Sequence, residues 1–161
     1  MMNIGHLYFL KEKYFSEFPD PFLEKNKEIL NGEYHNRPCF YAFIDNETGL
    51  FWLIPFSSKL DKYRKIYRAK IKRNKKCDTI VFGNVMGEEK AFLIQNMCPA
   101  TDEYIESEYF DHLSNSPITL SLLLESELIQ KAKSTLSLQR RGRKLIFPDV
   151  LKIEKMLLEQ L

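Results

Sequence analysis

The chain has 161 residues, 44% hydrophobic and 13% aromatic, with 24 Lys and Arg against 22 Asp and Glu. Those proportions describe one folded domain spanning 1–161, with enough apolar material for a core, and exclude a disordered chain. No apolar run reaches the roughly 18–20 residues that a membrane-crossing helix needs, so no membrane partner is expected.

The amino terminus, Met1-Met2-Asn3-Ile4-Gly5-His6, has no positive leader, apolar stretch or cleavage site, which points to a cytoplasmic protein. Cys39, Cys77 and Cys98 are odd in number and widely spaced. They encode neither a disulfide framework nor a zinc site, and Cys39 and Cys98 read as small core side chains.

In chain order, Ile4–Leu10 fits a strand or the start of a helix. Lys11–Phe18 suits a helical face through Tyr14, Phe15 and Phe18. Asp20-Pro21 predicts a second short helix to Leu30, closed by Asn31-Gly32. Cys39–Ile44 and Leu50–Ile54 are aromatic and β-branched runs joined by Asp45-Asn46-Glu47-Thr48-Gly49. They predict a central antiparallel hairpin with both faces covered.

Ile66–Arg73 alternates and predicts an exposed, basic-faced strand. Asp78–Phe82 and Lys90–Gln95 predict two further core strands, and Asp102–Phe110 a helical turn or two. Leucines at helical spacing predict helices over Thr119–Leu138 and Pro148–Leu161. The expected fold is α+β, a compact twisted antiparallel sheet with added helices, two of them at the carboxy terminus.

Charge is distributed unevenly. Ten of the basic residues fall between Lys59 and Lys76, where Asp61 is the only acid, so this stretch carries +9 and the remainder −7. The cations are Lys59, Lys62, Arg64, Lys65, Arg68, Lys70, Lys72, Arg73, Lys75 and Lys76, interleaved with Tyr63 and Tyr67. Cations alternating with aromatics are what single-stranded nucleic acid requires. A second basic loop holds Arg140, Arg141, Arg143 and Lys144. Neutralising about five phosphates would give a log–log salt slope near −4.

Chemistry-bearing motifs are few. His6, His35 and His112 are scattered, and there is no phosphate-binding glycine loop and no nucleophile elbow. Ser57-Ser58-Lys59 stands at the exit of a predicted core strand, where two hydroxyls and an ammonium can hydrogen-bond a phosphodiester. The competing reading makes Ser58 a helix N-cap with Asp61 three residues on. His35, in a polar loop, can exchange protons near neutrality.

Three stretches together resemble the toxins of type III toxin–antitoxin systems, the ToxN/AbiQ-like endoribonucleases, and most closely their CptN branch. They are Glu12-Lys13-Tyr14-Phe15, Asn36-Arg37-Pro38, and Leu53-Ile54-Pro55-Phe56-Ser57-Ser58-Lys59. The resemblance implies a MazF/Kid-like barrel and cofactor-free, metal-independent RNA cleavage. It also implies inhibition by a pseudoknot RNA that the toxin trims from a longer transcript, with toxin and RNA alternating in closed assemblies. Carried onto this chain, the site is Tyr14, Ser57, Ser58 and Lys59, with His35 as a local addition and Lys62 as an alternative to Lys59.

Cleavage would proceed by attack of the 2′-hydroxyl on the adjacent phosphate, leaving a 2′,3′-cyclic phosphate. The alternatives are a noncatalytic RNA- or DNA-binding module, and a barrel-fold toxin held by a protein antitoxin.

Overall fold

The computed structural model describes residues 2–161, with the side chains of His35 and Asn36 outside the described set. The chain opens with strand β1 (Leu7–Leu10) and helix α1 (Glu12–Glu17). Two short strands follow, β2 (Lys27–Leu30) and β3 (Glu33–Asn36), and then the central pair β4 (Cys39–Ile44) and β5 (Phe51–Ser57). Helix α2 (Leu60–Asn74) leads to the hairpin β6 (Ile80–Val85) and β7 (Glu88–Leu93). Strands β8 (Cys98–Ala100), β9 (Ile105–Glu108), β10 (Phe110–Asp111) and β11 (Ser116–Pro117) precede helices α3 (Leu122–Arg140) and α4 (Val150–Glu159).

The main sheet is antiparallel throughout, in the order β6-β7-β5-β4-β1-β9. Strand β5 shares one edge between two neighbours: β8 pairs with Phe51–Leu53, and β7 with Phe56 and Ser57. The end strands β6 and β9 do not pair among the described residues, so the sheet stays open where a closed barrel was expected.

Both faces of the central pair are covered, as its unbroken apolar runs predicted. Phe40, Ala42, Trp52, Ile54 and Phe56 pack with Leu124, Leu128, Ala132 and Leu136 of α3. Cys39, Tyr41, Phe51 and Leu53 point the other way, against Tyr14 and Phe18 from the α1 segment and Ile153 and Leu157 of α4. A third cluster joins α2 to the β6–β7 hairpin through Tyr63, Cys77, Ile80, Ala91 and Leu93. All three cysteines are free and buried. No helix is long and apolar enough to cross a membrane among the described residues.

Several local expectations are corrected. Residues 20–30 hold no helix: Lys27–Leu30 is a strand paired with Glu33–Asn36. Asn31 and Gly32 both have positive φ (52° and 79°), the backbone of a two-residue hairpin turn rather than of a helix end. Ile66–Arg73 is helical, because Tyr63, Ile66, Tyr67 and Ile71 recur at intervals of three and four and bury one face of α2. Asp102–Tyr104 does form one helical turn, but Ile105–Glu108 is a strand against β1. The two carboxy-terminal helices are present, capped by the side chains of Ser121 and Asp149.

Candidate nucleic-acid interface

The end of β5 runs straight into α2, and a buried polar network fixes that junction. Glu28, only 6% exposed, reaches from β2 to the exit of β5. The Ser57 hydroxyl donates to its Oε2 at 2.7 Å, and the Ser58 amide donates to its Oε1 at 2.6 Å. Arg37, also buried, donates from one terminal nitrogen to Glu28 at 3.1 Å and lies 3.2 Å from Glu24. Its Nε donates to the Lys25 carbonyl at 2.7 Å.

Burial alone would raise the Glu28 carboxyl. The Ser58 amide, the Ser57 hydroxyl and the Arg37 guanidinium outweigh that and hold it below its ordinary range.

The network settles what each serine does. Ser57 is 1% exposed, donates to Glu28, and accepts from the Lys59 amide at 3.1 Å. It therefore positions the junction and is not open to a phosphodiester. The Ser58–Asp61 capping box does not form: Lys59 is the N-cap residue of α2, with no capping side chain. Ser58 is instead half-exposed, and its hydroxyl accepts a 2.7 Å hydrogen bond from the Lys90 ammonium. Lys90 arrives because β7 pairs with β5 in a register that sets Ala91 opposite Ser57.

Lys59 is half-exposed, and among the described residues no carboxylate pairs with its ammonium. Lys90 also lies 3.3 Å from Glu88, so the corner at the head of α2 gathers the Ser58 hydroxyl, a lysine that already has a carboxylate neighbour, and Lys59 at the next position in the chain.

Tyr14 does not reach this corner. It is fully buried, and its hydroxyl donates to the Pro99 carbonyl at 2.6 Å among Phe15, Phe18 and Tyr104. Burial pushes the phenol well above its ordinary range, so it serves packing rather than proton transfer. His35 is paired across the β2–β3 hairpin with Glu28, but its side chain lies outside the described residues.

The basic residues divide into two groups. Lys62, Lys65, Arg68 and Lys72 recur at three and four residues and are exposed along one face of α2. From Lys62 to Lys72 that stripe runs about 15 Å at 1.5 Å per residue. Arg73 sits in the last turn, and Lys75 and Lys76 continue the basic run past the helix end, where Lys75 takes the left-handed C-cap. Lys76 lies 3.4 Å from Asp78.

The others are tied into the structure. Arg64 pairs with Glu89 and lies over the Phe82 ring. Lys70 donates to Thr79 and Gln95. Arg140 clamps Glu154 and Asp45, so it is a structural bridge rather than a free cation, whereas Arg141, Arg143 and Lys144 are exposed.

The aromatic residues of the basic segment face inward, against expectation. Tyr63 is 4% exposed, with its hydroxyl 3.4 Å from Glu24, and Tyr67 packs edge-on to Phe82. The Tyr63 ring presents no open face for base stacking, and Tyr67 is half-buried.

Among the described residues, no group of three or more His, Cys, Asp and Glu side chains comes together to hold a metal ion. Compared with known proteins, the chain matches no family model and no curated protein.

Sequence reasoning missed Glu28, Glu24 and Lys90: Glu28 lies 29 and 30 positions from Ser57 and Ser58, Glu24 39 from Tyr63, and Lys90 32 from Ser58.

Proposed function

We propose that this chain is an endoribonuclease that grips RNA along the α2 stripe and cleaves it at the Lys59–Ser58–Lys90 corner. The observation that carries this reading is the 2.7 Å contact of the Lys90 ammonium with the Ser58 hydroxyl, next in the chain to Lys59, which has no carboxylate partner among the described residues, at the start of an exposed row of cations. An ammonium on the Ser58 hydroxyl, with a second lysine at the next residue, suits a phosphodiester whose charge rises in the transition state.

The RNA's own 2′-hydroxyl would attack the adjacent phosphate in line, forming its bond to phosphorus as the bond to the 5′-oxygen breaks. The 2′-hydroxyl gives up its proton to solvent as it attacks, and the Lys59 ammonium supplies one to the departing 5′-oxygen, so the products are a 2′,3′-cyclic phosphate and a 5′-hydroxyl, with no water nucleophile. Lys59 and Lys90 would offset the developing charge, and Ser58 would hold a nonbridging oxygen. Glu28, Arg37 and Ser57 act at one remove, holding the Ser58 backbone in place.

The resemblance to ToxN/AbiQ-like toxins supports the same reading. It extends the reading to a MazF/Kid-like arrangement of the sheet, a pseudoknot RNA partner and a mixed toxin–RNA assembly. Incubating purified protein with a long RNA in EDTA tests cleavage. The expected result is fragments ending in cyclic phosphate; intact RNA would reject the nuclease.

A second reading, a binding module without chemistry, draws on the inaccessibility of Tyr14 and Ser57. It expects tight, salt-dependent RNA binding with no fragments in the same assay.

A further inference from the structure

At the far end of α2 the two basic segments of the sequence meet around a cavity of about 590 Å³. Its wall comes from the end of α2, from Ser134 and Thr135 of α3, and from the loop that joins α3 to α4. Five cations line it: Lys70, Arg73, Lys76, Arg143 and Lys144. One carboxylate, Asp78, lines it too, and Lys76 already pairs with that group.

Lys70 is the informative member. Its ammonium donates to Thr79 Oγ1 at 2.9 Å and Gln95 Oε1 at 2.6 Å, both neutral oxygens, and sits 5.5 Å from the centre of the Phe147 ring. An ammonium has three donors, and among the described residues no carboxylate pairs with this half-buried charge. The Phe147 ring supplies an aromatic wall beside that charge. The cavity has the dimensions of a small-ligand site, and its cations and hydroxyls suit an anionic group.

We propose that this cavity binds a nucleotide through its phosphate, with Lys70, Arg143 and Lys144 receiving the phosphate oxygens and Phe147 lying against the base. Burial lowers the Lys70 ammonium below its ordinary value, and a bound phosphate would reverse that cost. The site is separate from the cleavage corner, since ten residues of α2 between Leu60 and Lys70 span about 15 Å. It does not rest on cleavage, only on the cavity's own charge and shape.

The ligand's source is either a free mononucleotide or the phosphorylated end of an RNA, and the experiment separates them. Calorimetry on the full chain would use adenosine, AMP, and a six-nucleotide 2′-O-methyl RNA with and without a 5′-phosphate. Adenosine is expected to bind at least about tenfold more weakly than AMP, because the charge-assisted contacts go to the phosphate. An Arg143→Gln and Lys144→Gln double variant is expected to lose that difference. Both side chains are exposed and make no hydrogen bond among the described residues, so the fold should be retained, and circular dichroism checks it.

Equal affinity for AMP and the 5′-phosphorylated oligomer identifies the mononucleotide as the ligand. Tighter binding of the phosphorylated oligomer than of either AMP or the unphosphorylated oligomer identifies an RNA end. AMP and adenosine binding alike, or AMP binding untouched by the double variant, overturns the proposal. Cleavage of long RNA, measured separately, bears only on the nuclease: a protein that binds AMP but cuts nothing keeps this site, and one that cuts but ignores AMP does not have it.

Discussion

At the head of α2 charge is enclosed, with Arg37, Glu24 and Glu28 set among one another and the Ser57 hydroxyl and Ser58 amide aimed at one carboxylate. Along the outer face of the same helix Lys62, Lys65, Arg68 and Lys72 stand in solvent, without a carboxylate partner among the described residues. The difference lies in what each set is satisfied by. Buried charges must be paired to be tolerated, so the enclosed set holds the backbone still. Exposed cations on a helix add little to stability and remain available to a polyanion. Substitutions in the two sets should therefore separate stability from RNA affinity.

The largest effect on folding is expected from Glu28→Gln, which leaves Arg37 underpaired and should cost about 3 kcal/mol in denaturant unfolding. The sign of its pH dependence follows from the carboxyl being held below its ordinary value of 4.5. A depressed folded value contributes stability above that pH, and the contribution is lost as pH falls through the lower folded value. Wild-type stability should thus drop in acid more steeply than that of Glu28→Gln; parallel profiles would contradict the network.

Lys90→Met should slow RNA cleavage by about thirtyfold, or about 2 kcal/mol, through loss of one cation from the corner. Its unfolding midpoint should stay close to wild type. Replacing Lys62, Lys65, Arg68 and Lys72 together by glutamine should do the reverse. RNA binding should lose about three units of log–log salt slope, while stability changes by no more than about 0.5 kcal/mol. An unchanged slope in a fluorescence-anisotropy salt titration would remove the stripe from the interface. The smallest effect is expected from Tyr14→Phe, about 1 kcal/mol for one buried hydrogen bond, with cleavage unaffected.

Much of the architecture was legible because local signals and burial agreed. The Asp45–Gly49 turn between two apolar runs gave the central hairpin, and leucine spacing gave α3 and α4. In α2 the local signals conflicted. Arg68, Lys70 and Lys72 alternate like a strand, whereas Tyr63, Ile66, Tyr67 and Ile71 mark a helical face, and packing on the β6–β7 hairpin decides for the helix. The stretch from Asp20 to Leu30 misled because Asn-Gly serves a helix end and a hairpin equally well, and only the pairing with Glu33–Asn36 separates them.

At the candidate site, the position of Ser58 and Lys59 at a strand exit was legible. Glu28 and Lys90 were not, because their positions depend on strand register and hairpin docking set by the folded sheet. The burial of Tyr14 and Tyr63 was hidden for the same reason: aromatic residues beside cations look alike whether they face water or the core.

The central claim is that an accessible lysine at the head of α2 helps to break the RNA backbone. Single-turnover cleavage in EDTA, at RNA concentrations that saturate both proteins, compares wild type with Lys59→Ala most directly. A fall of at least about a hundredfold, roughly 2.7 kcal/mol, with an unchanged unfolding midpoint is the predicted result. Cleavage by Lys59→Ala at the wild-type rate, or no cleavage by the wild-type protein, would contradict it.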